Sequence, residues 1–177
     1  LLAFLVVVGY MDLLRHIIGR DYWEGLNVVP IVMAAEIMMG VYFNLSFWYK
    51  LIDKTIWGAY FSGIGCIVLI AVNVIFVPKY GYMACAWAGF AGYGTAMVIS
   101  YFVGQKKYPI NYPMKEILVY VLITVVLYFC MTAANKNLSL PLALVVNTLL
   151  GILFIAYIIK KDFPLSSLPV IGKRFRK

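Results

Sequence analysis

Charged side chains are scarce in this sequence. The 177 residues include 15 Lys and Arg, 7 Asp and Glu and one His, and only 12% of positions carry a charge. A soluble domain has roughly twice that share. With 64% hydrophobic residues and a mean hydropathy of +0.93, the chain has the composition of a protein whose solvent is lipid. The shortage of charge therefore excludes an ordinary soluble domain and predicts an integral membrane protein.

The usual groupings of catalytic and metal-binding residues are missing too. The single histidine, His16, belongs to no Ser/His/Asp arrangement, and no glycine-rich phosphate loop occurs. Cys66, Cys85 and Cys130 lie far apart inside apolar stretches and form no CxxC pair. We interpret them as small apolar residues without a disulfide or metal role. These absences predict a protein that is not an enzyme, that has no catalytic residues and that holds no metal or organic cofactor.

The sequence contains six long apolar segments, at residues 1–18, 26–49, 55–77, 82–103, 113–134 and 141–159. Each approaches the roughly 20 residues that a bilayer-spanning helix needs, and backbone groups in lipid must bond within their own segment. The sequence therefore predicts an all-α integral membrane protein with six transmembrane helices. The first segment opens with no polar residue before it, so we expect a truncated first helix and a longer parent protein.

The net charge of +8 comes from basic residues between and after the apolar segments. This distribution is typical of membrane topology and argues against a nucleic-acid partner. If all six segments span, one side of the membrane receives 11 basic residues and the other receives 4. The larger set is Lys50, Lys54, Lys106, Lys107, Lys115, Lys160, Lys161, Lys173, Arg174, Arg176 and Lys177, and the smaller set is Arg15, Arg20, Lys79 and Lys136. The positive-inside rule then predicts a cytoplasmic C-terminus.

Two regions follow from this pattern. Residues 1–160 are predicted to form one transmembrane lobe, and residues 161–177 a basic cytoplasmic tail. Basic residues beside a bilayer are attracted to anionic headgroups, so we expect the tail to contact membrane lipids.

Glu36 stands alone within the second apolar segment. An acid at that depth costs roughly 2.5–3.5 kcal/mol on insertion scales unless it faces a protein interior or water. Gly40 and Asn44 follow at i+4 and i+8, so the three residues share one helix face. The face is interpreted either as the wall of a cavity that binds a proton, a Na⁺ ion or a polar substrate, or as a place where a neutral Glu bonds to a neighbouring helix.

Two further polar residues, Arg15 and Asn73, are candidates for the substrate or ion pathway. Arg15 belongs to a mixed-charge group that either recognises an anionic or sugar-bearing headgroup or forms a solvated helix end. Asn73, like Asn147, either lines a pathway or holds helices together, as a lone Asn in a membrane commonly does. The mixed-charge group consists of Asp12, Arg15, His16, Arg20, Asp21 and Glu24.

The fourth segment carries a small residue at every fourth position. Such a stripe lets another helix approach closely, which is how helices associate in lipid without a hydrophobic driving force. We therefore predict a helix-packing role for the stripe. Its members are Ala84, Ala88, Gly92, Ala96, Ser100 and Gly104.

The order of several motifs resembles a known family. The second segment ends in Asn44-Leu45-Ser46-Phe47-Trp48-Tyr49-Lys50, and Lys54-Thr55 opens the third. The third runs through Asn73 to Pro78-Lys79-Tyr80-Gly81, and the small-residue segment is followed by Gly104-Gln105-Lys106-Lys107-Tyr108-Pro109. Over residues 1–113 this order is similar to the C-terminal half of polysaccharide-biosynthesis flippases, the O-antigen translocase type of the multidrug/oligosaccharidyl-lipid/polysaccharide exporter superfamily.

The resemblance implies a 12–14-helix bundle in two lobes around a central cavity, with this chain supplying most of the second lobe. It implies translocation of lipid-linked oligosaccharide or polysaccharide repeat units across the bacterial inner membrane by alternating access. The partner would be the missing N-terminal lobe of the same protein. Two other functions stay open: a cation-coupled multidrug antiporter of the same superfamily, and an integral-membrane polysaccharide polymerase or acyltransferase, against which the short outer loops argue.

Overall fold

The computed structural model describes residues 1–162, which are almost wholly helical and contain no β-strand. The prediction of an all-α protein is therefore confirmed for this range. The predicted basic tail lies outside the described residues apart from its first two positions. Within the range the α-helices are α1 (Leu2–Gly9), α2 (Met11–Ile17), α3 (Val29–Leu45), α4 (Phe47–Leu51), α5 (Ile56–Tyr80), α6 (Tyr82–Lys107), α7 (Met114–Asn137) and α8 (Leu140–Asp162). Short 3₁₀ helices at Arg20–Tyr22 and Glu24–Val28 lead into α3.

Five helical stretches among the described residues are long and apolar enough to cross a membrane. They are Arg20–Leu51, Ile56–Tyr80, Tyr82–Lys107, Met114–Asn137 and Leu140–Lys161. Five such helices indicate a multi-pass membrane protein. The prediction of six spans is not confirmed, because the first apolar segment is not among the five.

The first apolar segment is divided at Tyr10. α1 has eight residues and α2 has seven. Eight helical residues rise about 12 Å, whereas the hydrocarbon core is about 30 Å thick, so neither half can span alone. At the break, the backbone carbonyl of Gly9 accepts a hydrogen bond from Nδ2 of Asn147 at 2.7 Å. Side chains of neighbouring helices satisfy freed backbone groups in this way where a membrane helix is interrupted.

The described residues divide into two compact units. The first unit joins α1 and α2 to α7 and α8, and its core is formed by Leu5, Met131 and Phe154. The second unit, Ile18–Met114, contains α3 to α6. Its core is formed by Tyr42, Trp48, Tyr49, Phe61 and Ala96.

α6 is the central helix of the second unit and packs against both α3 and α5. Its row of small residues is buried along its whole length, at Ala84, Ala88, Gly92, Ala96, Ser100 and Gly104. Trp48 covers the end of this row, because its indole Nε1 lies 2.8 Å from the position that a Cβ on Gly104 would take. The small side chains thus leave room for two helices and one large aromatic ring.

The backbones of α5 and α6 come closest where Gly65 faces Gly92. A Cβ on Gly65 would lie 2.8 Å from the carbonyl oxygen of Gly92, and a Cβ on Gly92 would lie 2.8 Å from the carbonyl oxygen of Gly65. A backbone oxygen can move only if its helix moves, so this approach requires glycine at both positions.

One residue, Gly81, connects α5 to α6. Its φ of 58° and ψ of −140° are accessible to glycine and strained for other residues.

α5 runs through Pro78 to Tyr80, beyond the predicted end at residue 77. The missing N–H of a proline costs one hydrogen bond of the preceding turn. The last turn is nevertheless closed, because the N–H of Gly81 bonds to the carbonyl of Val77 at 2.8 Å.

A single methyl group at Gly65 should weaken the packing of α5 on α6. We expect Gly65→Ala to lower the free energy of unfolding by about 1–3 kcal/mol, since the added carbon meets a backbone oxygen that cannot give way. Reversible unfolding in lipid–detergent micelles measures the difference.

Gly63→Ala is the matched control. Gly63 lies on the same helix, and nothing stands within 4 Å of its Cβ position. This substitution should leave the free energy of unfolding unchanged or raise it by up to about 1 kcal/mol. Equal losses in the two variants would contradict the backbone contact as the cause.

Candidate functional site

α3 presents two unlike faces. One face packs inside the second unit through Ala35, Tyr42 and Leu45, which are 3%, 4% and 7% exposed. On another side Glu36, Gly40 and Asn44 are all exposed. We call these three residues the α3 polar face.

The α3 polar face is open along its length. Nothing lies within 4 Å of the position that a Cβ on Gly40 would take. Nδ2 of Asn44 donates to the carbonyl oxygen of Gly40 at 3.1 Å, so this amide bonds to its own helix and to no other helix among the described residues. Asn44 follows Glu36 by eight positions, which places polar groups over about 12 Å of helix length.

Glu36 determines what the α3 polar face can do. A carboxylate turned toward hydrocarbon is costly, so within a span it meets water or protein. With Asn44 it can accept hydrogen bonds from hydroxyl groups, and it can hold a proton or a small cation. The described residues contain no group of three or more His, Cys, Asp or Glu placed to hold a metal ion. What the face offers is a carboxylate and an amide on one exposed side of α3.

Tyr42 fixes the rotation of α3 about its axis. Its hydroxyl group donates to the carbonyl oxygen of Gly58 at 3.1 Å and lies 2.9 Å from Oγ of Ser62, both on α5. Tyr42 follows Glu36 by six residues, which is about 120° around a helix. Holding Tyr42 against α5 thus turns Glu36 away from the core of the second unit.

Asn73 and Arg15, the other predicted pathway residues, lie on other elements. Asn73 is partly buried on α5, where Nδ2 donates to the carbonyl of Leu69 at 3.1 Å and Oδ1 has no hydrogen-bond partner among the described residues. Arg15 is exposed on α2, in the first unit. The mixed-charge group is divided, with Asp12, Arg15 and His16 in the first unit and Arg20, Asp21 and Glu24 in the second.

Asn147, for which the sequence leaves a pathway role and a helix-packing role open, forms contacts between helices of the first unit. It is 2% exposed on α8. Its Nδ2 donates to the carbonyl of Gly9 and to Oδ1 of Asn135, both at 2.7 Å. One amide therefore joins α8 to α1 and α7. Gly9, a glycine within the apolar first segment, is the sequence signal that could have indicated the contact with Asn147.

The surroundings of Asn147 are apolar. A cavity of about 150 Å³ beside it is lined mainly by aliphatic and aromatic side chains, including Leu5, Val6 and Phe154. A second hydrogen bond joins Tyr10, at the break, to Thr148 on α8, with 2.7 Å between their hydroxyl oxygens. Hydrogen bonds in such surroundings hold helices together, and we assign these contacts to the packing of the first unit.

Replacing Asn147 with leucine should destabilise the first unit. Asn147→Leu leaves the Gly9 carbonyl and the Asn135 side chain without their donor, and we expect a loss of about 1–2 kcal/mol in the free energy of unfolding. Asn44→Leu is the control, because the Asn44 amide bonds only to its own helix and should change stability little. Unfolding in micelles, followed by circular dichroism, compares the stability of the two variants. If Asn147→Leu is as stable as Asn44→Leu, Asn147 does not hold the helices of the first unit together.

No protein-family model, curated protein or solved structure matches the chain. What the α3 polar face can do follows from its own chemistry.

Proposed function

We propose that this chain is part of a flippase that translocates lipid-linked oligosaccharide or polysaccharide repeat units across the bacterial inner membrane. The observation that carries the proposal is the α3 polar face, an exposed row of acid, glycine and amide within a membrane span. Because such a row is unfavourable against lipid, it suits the wall of an aqueous or protein-lined cavity. A glycan supplies many hydroxyl groups that carboxylate and amide oxygens can accept.

The chain provides one wall of that cavity in our proposal. The second wall comes from an N-terminal lobe of the same protein, which completes a two-lobed bundle of the exporter type. Rocking of the lobes would expose the α3 polar face to one side of the membrane and then to the other. α6 supports this motion as a rigid element, because its buried small residues hold α3 and α5 tightly beside it.

Glu36 has a direct role in this proposal. Its carboxylate accepts hydrogen bonds from the passing headgroup, and as an intramembrane acid it is also placed to take up the proton or Na⁺ that drives the cycle. The orientation with a cytoplasmic C-terminus, favoured by the basic residues, would load the substrate where it is synthesised.

Glu36→Gln in the full-length protein should reduce export of the surface polysaccharide at least tenfold, while its level in the membrane stays normal. The substitution keeps the size of the side chain, removes the charge and replaces one acceptor oxygen by an NH₂ donor. Glu116→Gln, the same change at an exposed residue in the first turn of α7, should leave export intact. Normal export with Glu36→Gln would remove Glu36 from the mechanism. Loss of drug resistance instead of polysaccharide would point to the antiporter.

A cysteine at Gly40 should react with a water-soluble thiol reagent if the α3 polar face lines an aqueous cavity. Gly63→Cys is the matched control, because Gly63 is also an open glycine within a span but has apolar exposed neighbours such as Ile67. Both are introduced after Cys66, Cys85 and Cys130, which are free and exposed, have been replaced by serine. Labelling at residue 40 and none at residue 63 is expected; protection of both positions would count against the cavity.

A further inference from the structure

Four lysines stand at one end of the second unit. Lys50 lies in α4, Lys54 lies in the turn between α4 and α5, and Lys106 and Lys107 end α6. All four are exposed. We call this group the lysine rim.

One aromatic contact brings the two halves of the lysine rim together, because Nζ of Lys107 at the end of α6 lies 4.8 Å from the centre of the Trp57 ring on α5. Within α4, Nζ of Lys50 lies 5.5 Å from the centre of the Phe47 ring. After α6, the chain is held back against the helix end by a hydrogen bond from Nε2 of Gln105 to the carbonyl of Ile110 at 2.7 Å. The lysines from two separate stretches of sequence therefore form one surface.

The lysine rim has a surplus of positive charge within residues 1–162. No carboxylate among the described residues forms an ion pair with any of the four lysines, and the one acid in the same turns is Asp53. The rim with Asp53 thus carries a net charge of +3. At the opposite end of the unit, the basic residues Arg20 and Lys79 are balanced by Asp21 and Glu24.

A hydrogen bond shows where the end of the second unit with balanced charges lies. The hydroxyl group of Tyr82, at the start of α6, donates to the carbonyl of Glu24 at 3.4 Å, whereas the lysine rim is at the other terminus of the same helix. The excess positive charge of the second unit therefore lies at one end of its helices.

The rings beside the lysine rim are those expected at headgroup depth. Trp57 packs edge-on against Tyr60, with 6.1 Å between ring centres, and Tyr60 is 59% exposed. Tryptophan and tyrosine favour the boundary between hydrocarbon and headgroups. A lysine ammonium that lies over such a ring is at the level of lipid phosphates.

We propose that the lysine rim is a docking surface for the headgroups of anionic phospholipids in one leaflet. Charge complementarity favours this partner, because an uncompensated cluster of ammonium groups at headgroup depth attracts lipid phosphates. The surface is distinct from the α3 polar face, and its role does not depend on what the protein transports. Bound anionic lipids would anchor the α4–α5 turn and the end of α6 to the same leaflet.

Native mass spectrometry of the full-length protein in detergent tests the proposal, with phosphatidylglycerol and phosphatidylcholine of identical acyl chains as probes. The wild type should prefer phosphatidylglycerol. Lys54→Gln should weaken that preference by about fivefold, and replacement of all four lysines by glutamine should weaken it further, to the part that the basic tail supplies. Raising the ionic strength should reduce it as well.

Two controls separate charge from folding and from position. Replacement of the four lysines by arginine keeps the charge and should keep the preference. Lys79→Gln removes one charge from the opposite end and should have little effect. The proposal fails if the four-glutamine variant prefers phosphatidylglycerol as strongly as the wild type does, if Lys79→Gln weakens the preference as much as Lys54→Gln does, or if inorganic phosphate competes as well as the lipid.

Discussion

The close contact between the backbones of Gly65 and Gly92 is the constraint on which the second unit depends. Helices in lipid gain little from hiding apolar side chains from one another, so they associate by close packing. Because each Cβ position lies 2.8 Å from the opposite carbonyl oxygen, this contact sets how closely α5 packs against α6. The same row of small residues on α6 also receives α3 and the ring of Trp48. The positions of α3, α5 and α6 are thus set by glycine and other small residues at their contacts.

The exposure of Glu36 is a consequence of that arrangement. Once α5 is seated on α6, the hydroxyl group of Tyr42 finds the carbonyl of Gly58 and the hydroxyl of Ser62, and α3 can take only one rotation. The polar residues of α3 then face away from the core. The Glu36 carboxylate is therefore held in its exposed position by an apolar and aromatic core on the other side of its own helix.

Length and apolarity predict the spanning helices because they are local properties, and the shared face of Glu36, Gly40 and Asn44 is equally local, since it needs only the helical repeat. The break at Tyr10 could not be predicted in this way. Gly9 and Tyr10 lie in a run as apolar as its neighbours, and the side chain that supports the break, Asn147, is 138 residues away. Which side of α3 turns outward also depends on a distant partner, the Gly58 carbonyl on α5.

The first unit has a consequence for the order in which the protein is assembled. Its helices come from the two ends of the described sequence, whereas the second unit is one continuous stretch. During synthesis α3 to α6 can pack as soon as residue 114 has emerged, because all their contacts are then available. α1 must wait, with the Gly9 carbonyl lacking its Asn147 donor, until α8 has been made. The packing of α1 against α8 is therefore a late event in biogenesis. Until α8 has been made, the broken helix is incompletely packed.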